Sequence, residues 1–278
     1  LTTSFDGNDS LDVTLEAGEG DATLQEMDLT DTGDSVNVGT IGYTRSVGDY
    51  LTFYVSPAGG GAGSELFNTA CAYEGQTNVL DDCANSWTGM DLGFTASALS
   101  AAVDVGNGLG LAFGYEGSDD STGLGTDEAI DVYALNASYL KDNYGFSYTY
   151  LDSETLQAQS FNAFYTPTID RFPSISFGLE WLHQDDDAVL GITSENDEAS
   201  HYFIGAQFDN LGNGTLGASV GSKELYRENA DAETMWEAYY AYNYADGITI
   251  TPVIFVKENA AINTDDETGI ILKTSFEF

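Results

Sequence analysis

From Tyr144 to Leu151 the chain alternates, residue by residue, between ring-bearing side chains and small or polar ones. Tyr144, Phe146, Tyr148 and Tyr150 fall on one face of an extended chain, and Gly145, Ser147, Thr149 and Leu151 on the other. A period of two is what a β-strand imposes, because successive side chains point to opposite faces of the pleat. The same split recurs at Leu109, Leu111, Phe113 and Tyr115 against Gly110, Ala112, Gly114 and Glu116. It recurs at Tyr202, Ile204, Ala206 and Phe208 against His201, Phe203, Gly205 and Gln207. At the end of the chain Ile270, Leu272, Thr274, Phe276 and Phe278 oppose Ile271, Lys273, Ser275 and Glu277. Segments of this kind predict an all-β chain whose strands have one greasy face and one polar or very small face.

A soluble sandwich alternates too, but it hides the greasy face under a second sheet. Two features favour lipid as the cover. Aromatic residues crowd the strand ends, as at Trp236, Tyr240, Tyr242 and Tyr244, in the manner of interfacial girdles. The connections also alternate between short ones (6–9, 46–49, 106–108, 141–143, 209–213, 245–247, and a slightly longer 167–173) and long acidic ones such as 117–129, 185–199 and 258–268. Short periplasmic turns and long external loops are the habit of a transmembrane antiparallel β-barrel. No run of 18 apolar residues offers a transmembrane helix. The 46 Asp and Glu against 7 Lys and Arg, a formal net charge of −39, exclude nucleic acid as a partner through like-charge repulsion. The 15 Phe, 17 Tyr and 3 Trp equally exclude a disordered acidic chain.

The predicted strands begin near Leu1, Ser10, Val36, Tyr50, Ala96, Leu109, Ile130, Tyr144, Ala158, Ser174, Ser200, Gly214, Thr234, Ile248 and Gly269. Single-chain bacterial barrels normally have an even number. The last strand runs inward, and Leu1, which leads into a short turn, also starts an inward strand. An outward strand preceding Leu1 is therefore expected, for about 16 strands in all. If the first segment is only a tail, the barrel has 14 and Gly269–Phe278 pairs with Ser10–Gly18. The chain starts without Met, so removal of an upstream signal segment is expected as well. Residues 1–278 read as a single barrel domain, with 57–92 as the third external loop.

That loop is the longest, is rich in glycine, and carries both cysteines, Cys71 and Cys83. An even count at short spacing suits one disulfide in an oxidising compartment, and the two histidines, His183 and His201, lie too far along the chain to suggest a zinc site.

The stretches TSFDGNDSLDVTL (3–15), DVYALNASYLKDNYGFSY (131–148), 161–181 and above all WEAYYAYNYADGITITPVIF (236–255), with the ending KTSFEF, carry a resemblance. The chain resembles the cyanobacterial outer-membrane porins, relatives of the OprB-type carbohydrate-selective porins, particularly those of marine picocyanobacteria. The resemblance covers most of the chain after about Ser100. It implies a homotrimeric, passive diffusion channel for ions and small hydrophilic solutes in the bacterial outer membrane, among lipid and lipopolysaccharide. By analogy with sixteen-stranded porins, the third loop folds inward and narrows the pore. The wall-binding domain that usually precedes such barrels is not in this sequence, and the resemblance brings no catalytic residue.

Alternation places Asp12, Glu16, Asp104, Glu116, Glu180, Glu237 and Glu277 on the lumenal face, with Lys273 and the loop-proximal Lys257. Carboxylates around a low-dielectric passage attract cations, so a cation-preferring channel is expected. Two alternatives stay open. A sugar-selective channel would need lumenal aromatics, for which Phe164, Phe203, Tyr239 and Phe255 are candidates. A closed structural or adhesion barrel would need a plugged interior, against which the small lumenal residues Gly110, Ala112, Gly114, Gly205, Gly217 and Gly221 argue. The acidic clusters at Asp119 and Asp120, Asp127 and Glu128, 185–187, 195–198 and 265–267 lack calcium-loop spacing, so solvated charge outweighs bound Ca²⁺ or Mg²⁺. No resident metal or cofactor is expected. Absence of G-x-S-x-G, H-E-x-x-H or a phosphate loop, and of a compelling Ser–His pair around His201, argues against an enzyme.

Overall fold

The computed structural model describes residues 1–18, 32–33, 35–58, 61–77, 80, 82–85, 96–118, 130–153, 156–169, 171–184, 198–222, 226–227, 234–258 and 266–277. Among these, sixteen strands form one sheet. They are β1 (Thr2–Thr3), β2 (Asp9–Glu16), β3 (Asn37–Val47), β4 (Leu51–Ala58), β5 (Ser97–Gly106), β6 (Leu109–Gly117), β7 (Asp131–Lys141) and β8 (Tyr144–Ser153). There follow β9 (Leu156–Tyr165), β10 (Ser174–Gln184), β11 (Glu198–Phe208), β12 (Gly214–Ser222), β13 (Tyr226–Arg227), β14 (Thr234–Ala245), β15 (Ile248–Lys257) and β16 (Glu267–Phe276). Each pairs antiparallel with its neighbour in the chain, except that the two-residue β13 pairs with β11 beyond the end of β12, and β14 takes the place beside β12. The remaining segments reproduce the fifteen predicted strands, with starts displaced by at most two residues.

β1 and β16 stand at the two ends of this order. Pairing of Gly269–Phe276 with the strand from Ser10, which the fourteen-strand alternative requires, does not occur among the described ladders.

Burial follows the alternation but inverts the usual rule. Large apolar side chains on one face, such as Leu111, Phe113, Leu135, Phe146, Trp181, Ile204 and Trp236, are exposed. On the other face Ser100, Asn136, Ser138, Ser147, Thr149, Ser160, Asn162 and Ser176 are buried. Water would not tolerate so continuous an apolar exterior, whereas a bilayer would. The antiparallel ladders pair backbone groups of neighbouring strands with each other, as crossing hydrocarbon requires.

The turns are built where left-handed backbone is cheap. The β5–β6 turn passes through Gly106, Asn107 and Gly108, all with positive φ, and the β14–β15 turn uses Gly247 at φ 70°. At Gly108 a side chain is also excluded by space, since a Cβ there would sit 2.1 Å from the Leu140 carbonyl.

Candidate functional site

The segment between β4 and β5 lies against the polar face of the sheet, the face that the strands turn inward. It begins with a 3-10 turn at Gly61–Leu66 and then runs extended. Because an extended chain presents its amides in alternation, every second backbone N–H meets the wall. Asn68 N donates to Asn136 Oδ1 on β7 at 3.1 Å, and Ala70 N to Ser147 Oγ on β8 at 2.9 Å. Ala72 N donates to Ser176 Oγ on β10 at 2.8 Å, and Glu74 N to Gln207 Oε1 on β11 at 2.9 Å. Gln76 N reaches Glu237 Oε1 on β14 at 3.0 Å. Wall side chains thus supply the acceptors that a neighbouring strand would otherwise supply.

These acceptors are themselves held in orientation. Asn136 Nδ2 donates to Thr149 Oγ1 at 2.9 Å, which turns its Oδ1 toward the loop. Gln207 Nε2 donates to Asp209 at 3.0 Å, while its Oε1 also accepts from Tyr239 Oη at 2.8 Å.

Glu237 is the most heavily used acceptor. Besides Gln76 N, it accepts from Tyr73 Oη at 2.7 Å, Thr77 N at 2.9 Å and Thr77 Oγ1 at 2.6 Å. Its exposure is 1%. Burial, and next the Glu237 carboxylate, push the Tyr73 phenol well above the ordinary tyrosine range.

The return limb of the loop is bound to β9, between two of the strands that hold the outgoing limb. Cys71 and Cys83 form a disulfide with Cα atoms 6.5 Å apart, as expected from their spacing. Cys83 and Ala84 both adopt left-handed backbone, at φ 60° and 61°. Cys83 O accepts from Asn162 Nδ2 on β9 at 2.7 Å, and Ser160 Oγ donates to Asn85 Oδ1. Asn85 Nδ2 in turn donates to Thr69 Oγ1 at 2.8 Å, tying the two limbs together beside the disulfide. Gly178 on β10 makes this approach possible, because a Cβ there would lie 1.8 Å from Cys83 O.

Beneath the loop Tyr73, Leu80 and Cys83 pack with Phe203, Met235, Tyr239, Val253, Phe255 and Ile271 in one buried cluster. The sheet therefore wraps around the loop from β7, where Asn68 docks, to β16, where Ile271 closes the cluster. Three of the four candidate sugar-guiding aromatics, Phe203, Tyr239 and Phe255, are sealed in this cluster, while Phe164 is half-buried. The space beside Gly110, Gly205 and Gly221 is occupied by Asn68, Tyr73 and Leu80 of the loop.

The acids singled out by alternation divide into two groups. Glu116, Glu180 and Glu237 face inward but are fully buried. Glu180 lies 3.8 Å from His201 Nδ1, whose ring is also buried and has no hydrogen-bond partner among the described residues, serine hydroxyls included. Asp12 and Glu16 on β2 are half-buried, Asp12 accepting from Ser10 Oγ at 2.6 Å. Asp104 and Glu277 are exposed near the short turns, where Asp104 accepts from Gly106 N at 2.8 Å. Lys273 is half-buried on the inner face of β16, and Lys257 is buried on that of β15. The loop adds Glu65 and Glu74, both exposed. His183 points outward and is exposed.

Glu65, Glu74 and the docking residues Tyr73, Thr77, Asn136, Ser147, Ser176 and Asn162 were not foreseen from the sequence. A serine that faces water in a lumen and one that holds a loop have the same position in the alternation, so no local signal separates them. Of the external acidic clusters, Asp119, Asp120, Asp127, Glu128, 185–187, 195–197 and Asp265 lie outside the described residues, as does Phe278. Among the described residues no three His, Cys, Asp or Glu side chains converge as metal ligands.

No protein-family model matches the chain, and no curated protein matches it in sequence. Solved structures do. A triple variant of the Rhodopseudomonas blastica porin superposes with a TM-score of 0.55 at 14% identity, covering 100% of this chain and 87% of that one. A double variant of the same porin gives a TM-score of 0.56 at 15% identity over the same shares. A third match, described as a study of asymmetric conductivity of engineered proteins, gives a TM-score of 0.56 at 14% identity with equal coverage. The fold is that of a bacterial porin-like β-barrel.

Proposed function

We propose that the chain is an outer-membrane porin, a passive channel for ions and small hydrophilic solutes that favours cations. A porin-like barrel with an apolar exterior belongs in a bilayer, and a loop pinned along its inner wall leaves a narrowed passage beside that loop. The observation that carries the cation preference is the charge of what borders this space. Exposed or half-buried carboxylates lie on both sides, Glu65 and Glu74 on the loop and Asp12, Glu16 and Asp104 on the wall. Among the residues whose side chains are described, Lys257 and Lys273 bring positive charge to the inner face. A passage of one sign focuses its field through low-dielectric walls and concentrates counter-ions.

The sugar-selective reading loses its support with the burial of Phe203, Tyr239 and Phe255. Assembly as a homotrimer, contact with lipopolysaccharide and affinity to the cyanobacterial, carbohydrate-selective porins rest on the residue resemblance, chiefly at 236–255. Planar-bilayer recording across a KCl gradient at low salt tests the channel and its selectivity together. A reversal potential of cationic sign is expected, reduced by Glu65→Gln with Glu74→Gln. Anion preference under those conditions would remove the proposal.

A further inference from the structure

Glu237 is one of the acids that alternation assigns to the lumen, but the residues around it describe a different task. A buried carboxylate costs several kcal/mol unless hydrogen bonds replace its water. Among the described residues the loop supplies the replacement: two hydroxyls, from Tyr73 and Thr77, and two backbone amides, from Gln76 and Thr77. The burial of the carboxylate and the docking of the loop are therefore one event. Undocking would strand four donors and a carboxylate at once, whereas the rungs at Asn136, Ser147, Ser176 and Gln207 would each lose one or two neutral bonds.

The position of this anchor matters because of the disulfide. Tyr73 and Thr77 lie inside the ring closed by Cys71 and Cys83, a separation of 12 residues. The ring is fastened to β14 at Glu237 and to β9 at Asn162, through Cys83 O. A ring held on two strands separated by β10, β11 and β12 cannot translate toward either without breaking the fastening at the other.

We propose that Glu237 is a positioning residue: its carboxylate latches the disulfide ring of the third loop to the wall and so sets the width of the passage, without itself meeting the permeating ion. The proposal rests on the channel reading, which it deepens. It separates two kinds of inward acid. Those such as Asp12 and Glu74 govern which ions pass, and Glu237 governs how steadily the passage stays narrow.

Two measurements on the refolded, full-length chain test this, with Glu237→Gln and, from the loop side, Tyr73→Phe combined with Thr77→Val. The amide of Gln places donors against the donors of the loop, and the double substitution removes both hydroxyls while sparing the wall. The first readout is hydrogen exchange of amides 73–77, with Ala70 and Ala72 as internal reference. At least about tenfold faster exchange is expected in both variants, since bonds to a charged acceptor are each worth about that factor or more. The second is bilayer recording, where larger or noisier single-channel current with an unchanged reversal potential is expected. Unchanged exchange, or a shifted reversal potential with steady current, would overturn the latch and return Glu237 to the ion path. A parent chain that conducts nothing would defeat the channel reading, while the exchange experiment would still decide whether the latch exists.

Discussion

At the scale of single residues, the inner face works by being small as much as by being polar. Gly178 has Cys83 O where its side chain would be, and Gly205 and Gly221 have Tyr73 and Leu80. The Gly178→Ala variant should keep its strand, because β10 retains its full ladders to β9 and β11. The methyl group collides with backbone, which has no rotamer to yield, so overpacking should cost docking about 1–3 kcal/mol. Limited proteolysis checks this: cleavage within residues 70–85 is expected in the variant and not in the parent, with the strands resistant in both. Equal resistance would mean that the loop accommodates the methyl group, and that Gly178 is no requirement of docking.

At the scale of elements, the loop between β4 and β5 resembles an extra strand that has no strand beside it. Its amides find side-chain acceptors on five different strands, from β7 to β14, in place of one backbone partner. The disulfide adds a second kind of restraint, contributing about 3 kcal/mol by limiting the freedom of a ring of this length. Reduction under native conditions should release the limb at 82–85 while the ladder still holds 68–77. The expected outcome is increased current noise with unchanged heat-modifiable mobility on electrophoresis. If mobility collapsed to that of the unfolded chain, the disulfide would be holding the barrel and not the loop.

At the scale of the whole molecule, the excess of acid acts through distance. The screening length is about 8 Å at physiological ionic strength and about 3 Å at 1 M. Cation preference should therefore be strong in dilute salt and decline toward 1 M, where only carboxylates beside the ion path still act. Reversal potentials measured at one fixed gradient ratio over rising mean salt check this. A preference independent of salt would place the selectivity in a close-fitting ion site, in place of the diffuse field of Asp12, Glu16, Glu65, Glu74 and Asp104.

The sequence by itself determined the strands, their faces and the antiparallel order. Tyr144, Phe146, Tyr148 and Tyr150 declare an outer face wherever the chain is extended, because the side-chain period is a property of one strand and needs no neighbour. Short turns such as 245–247 then leave adjacent pairing as the only option. The pairing of Cys71 with Cys83 was equally legible, since two cysteines admit one connection. Only the tertiary structure decided the roles of the inward residues. Glu237 and Asp104 occupy equivalent places in the alternation, but one is buried under a loop and the other lies in the open. That difference is set by a segment more than 150 residues away along the chain, as in the bond from Tyr73 to Glu237 at a separation of 164. Local pattern carries no record of which wall a long loop will choose. The choice depends on how acceptors from five strands and donors from β9 converge, and they converge only when the sheet has curled around the loop.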